Sequence, residues 1–600
     1  AASSATQRVS LAILAGTFAT LAVFVPIGFM EGIVGQFFSE YGLAIVFSVS
    51  VSLLVALTLS PMLCSRFLVP FNNEGPLRHL EEFHRGMARN YERVVVFAVR
   101  WRYLVLLAAL GTVYLGALIA AEIPGGFTSK ADRSEFQGSV ELPPGTALSE
   151  TKKYAHSLDR AIRSVNHVEN VFITIGSGPA GQPNRLSLYG TLANKQSREM
   201  GQFVIMDEIR EVTASTVPNA RTVEISEVPW VSGGGLSTAD IELVIQGRDL
   251  DAIQAYVDQL AAELKKQPGL SDVRSGYEPG RPELVLDVAR DRAGDLGVSA
   301  KTIAMTNRIL IAGVEAGTYE QSGSRYDITV KLREADRSSV DQMSQLQIRS
   351  RAGNLVDLPS VVDTTYTEGP ARIERQDRAR KVSLFANAGS GTALGDAAAI
   401  VQSVLKTVAQ PPGTSILFEG QVRRMRESAE AITGAFILAI LALYIVLASQ
   451  FNSFGQPLVI MLSAPLCFSG AFAGLYLAGQ EMSLFAQIGL IALMGIVMKN
   501  GILLVDRANQ LRDGGMSAID AMVVAGPERL RPVLMTAFAA IFGMIPVALS
   551  SADGSEWRNA MGSLIIGGLT SSTLLTLIVV PAAYIVGPDM RLLLTKLRKS

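Results

Sequence analysis

The chain has 600 residues, of which 49% are hydrophobic and 18% charged, and its mean hydropathy is +0.31. This composition is too apolar for a soluble protein and too charged for a chain that lies wholly in a membrane, so we expect a spanning part and an aqueous part. The net charge of −1 gives no reason to expect nucleic acid as a partner. The two cysteines, Cys64 and Cys467, lie in apolar stretches, which excludes a disulfide framework in the aqueous part.

Windows of about 19 residues predict eight membrane-spanning helices. Each is long enough to cross a hydrocarbon core about 30 Å thick. The predicted spans are 9–30, 43–65, 102–122, 431–449, 456–478, 484–505, 532–550 and 560–586. The stretch between the third and fourth spans has an ordinary globular composition, so one side of the membrane carries a large domain.

Arginine-rich loops indicate which ends of the spans face the cytoplasm. They follow the second span (Arg66, Arg78, Arg85, Arg89, Arg93, Arg100) and precede the seventh (Arg507, Arg512, Arg529, Arg531). Counting spans then places the large domain outside the cytoplasm. The segment PLRHLEEFHRGMARNYERV, just before the third span, predicts an amphipathic helix on the inner membrane surface.

The large domain contains one element order twice. Strand and helix periodicities predict the order βαββαβ over 134–143, 148–165, 168–175, 186–193, 200–215 and 221–228. The order recurs over 240–246, 249–266, 270–276, 381–387, 392–408 and 414–419, interrupted by an insertion at 280–370. The sequence therefore predicts two split-βαβ α+β subdomains, and this architecture alone does not define a function.

The stretch GIVMKNGILLVD, residues 495–506, places Lys499 inside the sixth predicted span. A central lysine costs about 2.5–3.5 kcal/mol on insertion scales, so such residues usually face a partner or a water-filled path. The other spans contain no carboxylate near their middle, and Asp506 lies about 10 Å further along the same helix. Two explanations stay open: Lys499 reaches toward the cytoplasmic interface, or its partner lies outside this chain or is water.

The seventh span carries a second polar residue in RLRPVLMTAFAAIFGMIP. Thr536 lies at a depth comparable to that of Lys499, and Arg529 lies at the cytoplasmic end. A threonine in a membrane helix commonly donates to a carbonyl of its own helix, and an arginine before a span commonly serves only orientation. Both structural explanations stay open beside a functional one.

Several stretches together resemble resistance-nodulation-division (RND) efflux permeases. GLIALMGIVMKNGILLVDRAN and ERLRPVLMTAFAAIFGMIPVALS are similar to the tenth and eleventh spans of that family. VFVPIGFMEGIVGQFFSEYGLAIVFSVSVSLLVALTLSPMLCSRF resembles the fifth and sixth spans, and ASQFNSFGQPLVIMLSAPL the junction of the eighth and ninth. VELPPGTALSET resembles the start of the second large periplasmic loop, so the likeness runs in order over nearly the whole chain.

The resemblance implies a polytopic α-helical membrane protein of the hydrophobe/amphiphile exporter branch, in the inner membrane of a Gram-negative bacterium. It implies a division of the chain into spans five and six (1–66), a cytoplasmic amphipathic helix (67–101), span seven (102–123), a periplasmic porter subdomain (124–233), a second porter subdomain (234–279 and 371–427) with a docking insertion (280–370), spans eight to twelve (428–588) and a cytoplasmic tail (589–600). The chain opens AASSATQRVS, without an initiator Met or a signal sequence. We therefore expect an N-terminal portion to precede it; a half-length protein is the alternative.

The resemblance also implies a mechanism and partners. Lys499, Thr536 and Arg529 match the family's proton-relay positions, whose paired aspartates lie on the fourth span. The expected protein is a secondary antiporter driven by the proton-motive force, without a bound cofactor or metal, and not an enzyme. The expected partners are further copies in a homotrimer or heterotrimer, a periplasmic adaptor, an outer-membrane channel, small-molecule amphiphiles and membrane lipid.

The stretch VFITIGSGPAGQPNRLSLYG matches the family's glycine-rich switch loop and pocket. The expected substrate-contacting residues are Phe172, Gly176, Ser177, Gly178, Pro179, Gly181 and Tyr189. Ser177 and Pro179 stand where phenylalanines are expected, which argues against typical recognition of aromatic drugs. Phe172 could instead be a core residue of its strand, and the glycines simple turn formers.

Two alternatives to a multidrug-type exporter stay open. The metal-exporting branch of the family would need intramembrane carboxylates or methionine clusters. Span 431–449 has no carboxylate, and Met206, Met305 and Met343 are dispersed. A non-pumping membrane receptor or translocation accessory would leave Lys499 without a relay role.

Overall fold

The computed structural model describes residues 2–30, 32–67, 78–176, 181–229, 239–277, 280, 282–337, 339–343, 345–368, 373–389 and 391–597. Within these residues, eight helical segments are long and apolar enough to cross a membrane. They are Ser10–Ile27, Phe38–Phe67, Arg102–Glu122, Gly420–Phe451, Gln456–Leu477, Leu484–Asp513, Ala518–Ala548 and Glu556–Val586. Each predicted span lies on one of these segments.

The first five helices precede the aqueous part. They are α1 (Ala2–Ile27), α2 (Gly32–Leu57), α3 (Leu59–Phe67), α4 (Arg78–Arg100) and α5 (Arg102–Glu122). The second predicted span is divided at Thr58 into α2 and α3. The predicted amphipathic helix is α4, and its Tyr91 hydroxyl donates a 2.7 Å hydrogen bond to the Leu577 carbonyl. One face of α4 is therefore fixed to the protein.

The first α/β unit follows α5. Its elements are β1 (Glu135–Glu141), α6 (Leu148–Arg163), β2 (Val168–Ile175), β3 (Arg185–Leu192), α7 (Gln202–Thr216) and β4 (Thr222–Ser226). The strand order is β2-β3-β1-β4, and all neighbours are antiparallel. Alternate residues of β1, Phe136 and Val140, are buried in one core with Leu158 and Ile209 of the two helices. The helices cover one face of the sheet and leave the other face free.

The second α/β unit is built in the same way around an insertion. It begins with β5 (Ile241–Gly247), α8 (Leu250–Leu264) and β6 (Leu270–Ser275). The insertion contains β7 (Pro282–Val288), α9 (Arg290–Asp295), α10 (Ala300–Asn307), β8 (Val314–Gln321), β9 (Ser324–Val330), α11 (Val340–Met343), β10 (Gln347–Arg349), β11 (Leu355–Asp357) and β12 (Val362–Glu368). The unit ends with β13 (Glu374–Gln376), β14 (Ala379–Ala388), α12 (Leu394–Thr407) and β15 (Ser415–Glu419). The order β6-β14-β5-β15 repeats that of the first unit.

The insertion has a small core of its own. Val298, Ile303 and Leu358 are buried there, and β7 pairs with β12. The hairpin of β8 and β9 is exposed along its whole length, with Tyr319 stacked on Tyr326 at a centroid distance of 5.3 Å. Strand β8 (VEAGTYEQ) was not predicted from the sequence, because it lacks the apolar alternation that indicates a half-buried strand.

The last six helices complete the membrane part. They are α13 (Gly420–Phe451), α14 (Gln456–Met461), α15 (Ser463–Leu477), α16 (Leu484–Asp513), α17 (Ala518–Ala548) and α18 (Glu556–Leu597). Helix α13 begins well before the predicted span at 431. Arg423, one turn inside α13, forms ion pairs with Glu419 at 2.8 Å and Glu427 at 2.7 Å, a spacing that supports helix in water.

Helix α16 is the centre of the membrane part. It packs against α1, α15, α17 and α18, and 78% of its most apolar stretch is buried. Small residues allow the neighbouring helices to approach closely. A Cβ atom on Gly567 of α18, for example, would lie 2.9 Å from the Cα of Gly474 on α15.

We expect Gly567→Leu to destabilise the protein, because the added side chain would separate α15 from α18. Overpacking of this kind costs about 1–3 kcal/mol. Thermal unfolding in detergent would measure the loss. Gly543→Leu on α17 is the matched control, since a Cβ atom there meets nothing within 4 Å among the described residues. Equal stability of the two variants would contradict the close packing of α15 and α18.

Candidate functional site

Lys499 lies on the face of α16 that packs against α1. It is half-buried, and a Cβ atom on Gly16 of α1 would lie only 3.1 Å from the Lys499 Cγ. One turn further along α1, the Thr20 hydroxyl donates to the Gly495 carbonyl at 3.2 Å. The small residue at position 16 thus allows α1 to lie directly on the lysine stem.

The Lys499 ammonium makes no hydrogen bond or ion pair with any residue that the structure describes. Asp506 is not its partner, because no ion pair joins these two described residues, and the Asp506 carboxylate accepts a 2.8 Å hydrogen bond from Gln510, one turn further along α16. A half-buried intramembrane ammonium without a counter-charge is expensive, so its position in the protein indicates a function.

Thr536 lies on an exposed part of α17. Its hydroxyl donates to the Val533 carbonyl of its own helix at 2.9 Å, and no hydrogen bond joins it to Lys499 in the described part of the chain. The Thr536 hydroxyl therefore has a hydrogen-bond partner within its own helix, as the structural explanation requires. The accepting carbonyl lies three residues earlier, whereas a threonine in a membrane helix commonly donates to the carbonyl four residues earlier. Its relay role stays a prediction.

Arg529 lies within electrostatic range of Asp506, which the sequence did not assign to it, although no ion pair within 4 Å joins them in the described residues. It is half-buried and interacts electrostatically with Asp506 of α16, which is 7% exposed. Its Nε has no hydrogen-bond partner among the described residues. The adjacent Glu528 binds Arg507 at 2.6 Å. Two oppositely charged residues, one near the end of α16 and one in the first part of α17, were the signal that the sequence offered for this network.

The predicted pocket aromatic residues are neighbours on the first sheet. Phe172 of β2 pairs in register with Tyr189 of β3, and the Tyr189 hydroxyl donates to Glu135 at 3.0 Å. Phe172 is 68% exposed. The interpretation of Phe172 as a core residue is therefore wrong, and its role as a substrate contact stays a prediction.

The glycine-rich loop joins β2 to β3. Gly176 and Gly181 have φ angles of +82° and +57°, in the left-handed region that glycine adopts readily. The Gly176 N–H donates to the Arg185 carbonyl at 2.9 Å. Their conformation is that of turn formers. Ser177, Gly178 and Pro179 lie outside the described residues.

The cleft between the two α/β units has a charged lining, which was not predicted. Two adjoining cavities of about 320 and 190 Å³ share Glu141 and Arg185 of the first unit and Arg274 of β6. Arg185 and Arg221 bind Glu141 at 3.3 and 3.0 Å.

The second unit contributes the opposite wall of this cleft. Arg274 binds Glu224 of β4 at 2.8 Å, and its guanidinium lies 4.4 Å from the Phe385 ring centroid. The alternation of SEFQGSVEL contained a signal for the cleft, because its polar residues face away from the helices. The opposing unit could not be inferred from that pattern.

Eight candidate membrane spans among the described residues, together with parts that contain β-sheet, fit an RND permease. The chain belongs to the AcrB/AcrD/AcrF family, whose family model matches residues 1–587. The resemblance found in the sequence is thus confirmed.

One similar protein is Multidrug resistance protein MdtC of Pectobacterium carotovorum subsp. carotovorum (strain PC1). It is 26% identical over 588 residues, which cover 98% of this chain and 57% of the relative. The chain therefore spans a little over half the length of this curated relative.

The Asp506 and Arg529 network can be tested by a double-mutant cycle. We expect Asp506→Asn and Arg529→Gln each to lower thermal stability, and the double variant to lose less than the sum, with a coupling of about 0.5–3 kcal/mol. Arg531→Gln, at an exposed position, is the control and should stay within about 0.5 kcal/mol of the unchanged protein. Strict additivity would show that the two charges do not interact.

Proposed function

We propose that this chain belongs to an efflux permease that exchanges protons for hydrophobic or amphiphilic compounds, a secondary antiporter and not an enzyme. The half-buried Lys499, without a counter-charge among the described residues, carries the proposal. Membership of the AcrB/AcrD/AcrF family and the multidrug resistance named for the relative support it.

In this mechanism Lys499 responds to the protonation of carboxylates that approach it in the assembled transporter. When those carboxylates are ionised, they attract the ammonium; when they bind protons, the attraction ends and the packing of α16 against α1 changes. Such a change in charge biases an element that has two packed arrangements. One proton moving down 100 mV supplies about 2.3 kcal/mol, so steep pumping needs a pH gradient or more than one proton. Thr536 and Arg529, both on α17, would be the other two members of this proton relay.

The substrate route would follow the cleft between the α/β units. Phe172 and Tyr189 offer exposed aromatic surface, while Arg185, Arg274 and Glu141 offer charge. Apolar surface beside charged groups suits an amphiphile better than a purely hydrophobic compound. The loop residues Gly176, Ser177, Gly178, Pro179 and Gly181 would form its gate.

We also propose a location and an assembly for the protein. The protein would lie in the bacterial inner membrane, surrounded by lipid, with residues 124–427 in the periplasm as two porter subdomains and a docking insertion. It would form a homotrimer or heterotrimer with a periplasmic adaptor and an outer-membrane channel. The exposed β8–β9 hairpin of the insertion supports a docking role, because an unpaired hairpin is marginal by itself. The described residues contain no group of three or more His, Cys, Asp or Glu side chains that could hold a metal ion, so no such group favours the metal-export alternative.

Replacement of Lys499 tests the mechanism. We expect Lys499→Ala to reduce proton-coupled efflux of a fluorescent amphiphile to near background, with expression and membrane insertion unchanged. Lys152→Ala, at an exposed position of α6, is the control. Efflux at the unchanged rate in Lys499→Ala would overturn the relay role of Lys499.

Phe172 offers a test of substrate contact. We expect Phe172→Ala to raise the KM for an aromatic dye several-fold and to leave thermal stability unchanged, because the side chain is 68% exposed. The neighbouring Val171 is 7% exposed, so Val171→Ala should lower stability and leave the KM unchanged. If Phe172→Ala left the KM of every dye unchanged, the substrate would not pass this residue.

A further inference from the structure

Helices α1 and α16 cross next to Lys499 through two reciprocal contacts. Gly16 of α1 faces the lysine stem, where a Cβ atom would lie 3.1 Å from the Lys499 Cγ. Gly495 of α16 faces Thr20 of α1, where a Cβ atom would lie 3.5 Å from the Thr20 Cγ2. The two contacts are one turn apart on each helix and in opposite order, so the helices run antiparallel here. Each helix therefore offers a glycine to a polar side chain of the other.

The Thr20 hydroxyl bonds to both helices at this crossing. It lies 2.9 Å from the Gly16 carbonyl of its own helix and 3.2 Å from the Gly495 carbonyl of α16, so its proton is shared between two acceptors. The Thr20 side chain is shielded, because the residue is only 3% exposed. One hydroxyl group thus connects the residue that seats the lysine stem to the α16 turn that leads to the lysine.

The Gly495 carbonyl belongs to the turn of α16 that carries Lys499. In an α-helix the carbonyl of residue 495 accepts the backbone N–H of residue 499. A carbonyl oxygen has two lone pairs, so the Thr20 hydroxyl shares this acceptor without breaking the helix. The bond from Thr20 therefore acts on the main chain that carries Lys499, and not on its flexible side chain.

Thr17 shows what a threonine of α1 does without this contact. It is 7% exposed, and its hydroxyl donates to the Ile13 carbonyl of α1 at 2.8 Å. This is the ordinary bond of a threonine in a membrane helix, to the carbonyl four residues earlier. Within the part of the chain that the structure describes, no hydrogen bond joins the Thr17 side chain to α16. The contact with α16 is therefore a particular feature of Thr20 and not a property of any buried threonine on this helix.

Helix α16 is also hydrogen-bonded to its neighbours near its two ends. The Leu484 N–H donates to the Phe127 carbonyl at 3.0 Å. Toward the other end, Asn509 exchanges two amide hydrogen bonds with Gln456 of α14, at 2.9 and 3.1 Å. Lys499 lies about 22 Å from the first of these contacts and about 15 Å from the second by helix rise. The bond from Thr20 lies at the level of the lysine itself, where contacts at the ends do least to fix its direction.

We propose that Thr20 is a positioning residue for Lys499. Its hydroxyl, bound to the Gly16 and Gly495 carbonyls, fixes the turn of α16 that presents the ammonium to the approaching carboxylates. A group that acts in a proton relay must be held in a narrow range of positions by the residues around it. The threonine hydroxyl does not titrate in the working range of pH, so it holds Lys499 in both charge states of those carboxylates. This role rests on the proposed transport function, whereas the contact itself does not.

The first test measures efflux of a fluorescent amphiphile by the transporter in proteoliposomes under a fixed pH gradient. Thr20→Val keeps the shape of the side chain and removes the hydroxyl. We expect it to lower kcat at least threefold and to leave KM unchanged, because the proposed substrate contacts lie in the aqueous part. We expect Thr20→Ser, which keeps the hydroxyl, to restore most of kcat.

Thr17→Val is the matched control, and we expect its kcat and KM to equal those of the unchanged protein. An unchanged kcat in Thr20→Val would overturn the proposal. An equal loss of kcat in Thr17→Val would do the same, and so would a Thr20→Ser variant as slow as Thr20→Val. Either result would show that the bond from the hydroxyl to Gly495 is not the cause.

Thermal unfolding separates positioning from general packing. Interhelical hydrogen bonds contribute little to the stability of membrane proteins, so we expect Thr20→Val to melt within about 3 °C of the unchanged protein. A much larger fall in melting temperature, together with the loss of efflux, would assign Thr20 a packing role and would overturn the proposal.

A second test needs no transport. The purified transporter is treated briefly with an amine-reactive reagent, and the modified fraction of Lys499 is measured by mass spectrometry. We expect Thr20→Val to raise this fraction at least twofold, because α1 then covers the lysine stem less firmly, and Thr17→Val to leave it unchanged. Lys152, at an exposed position of α6, is the internal standard. An equal modified fraction of Lys499 in Thr20→Val and in the unchanged protein would overturn the positioning role.

Failure of this proposal can be told apart from failure of the proposed function. If Lys499→Ala retains full efflux, the relay is wrong, but the labelling experiment still decides whether Thr20 holds the lysine in place. If Lys499→Ala abolishes efflux while Thr20→Val equals the unchanged protein in kcat and in labelling, the transport mechanism stands and the positioning role of Thr20 does not.

Discussion

The position of a single ammonium inside α16 constrains the rest of the membrane part. Lys499 is half-buried on the most enclosed of the eight candidate spans, and a central lysine costs about 2.5–3.5 kcal/mol. That cost is tolerable only if the neighbouring helices leave room for the stem and bring no second cation near it. Gly16 satisfies the first condition, because any larger side chain there would press on the Lys499 Cγ.

The aqueous part follows from a different constraint, the one-sided burial of an antiparallel sheet. In β1 the residues Phe136 and Val140 face the helices, and Gln137, Ser139 and Glu141 are left on the open face. The second unit meets the first along β4 and β6, and Arg274 of β6 binds Glu224 of β4 beside that open face. The cleft therefore lies where the two similar units meet. Its charged groups on β1 are the outward-facing residues of a strand that alternates between apolar and polar side chains.

Local pattern predicted much of the fold, and the limits of the prediction have physical causes. Hydropathy located the eight spans, and strand and helix periods located the elements of both units, because these signals depend on short stretches. The start of α13 was misplaced, since the polar residues 420–430 belong to the helix but lie before the apolar window, and α4 continues through the apolar residues 95–99 beyond the predicted segment. Interactions such as that of Arg529 with Asp506, or of Arg274 with Glu224, join different elements of the fold, and no local pattern encodes them. Phe172 shows the same limit in reverse, because its strand context suggests a core position while the register exposes it.

Helix α16 connects Lys499 to the chain segment between α5 and β1, which leads into the first α/β unit. It runs without proline from Leu484 to Lys499, about 22 Å away by helix rise, and continues to Asp506. At its start, the Leu484 N–H donates to the Phe127 carbonyl between α5 and β1. By contrast, α17 contains Pro527, Pro532 and Pro546, each of which removes a backbone donor and permits bending. A change in packing at Lys499 that displaced α16 as a unit would therefore also act on residues 124–127, which are hydrogen-bonded to the start of that helix. No chain of side-chain contacts is required for this coupling, because the continuous backbone hydrogen bonds of one buried helix suffice.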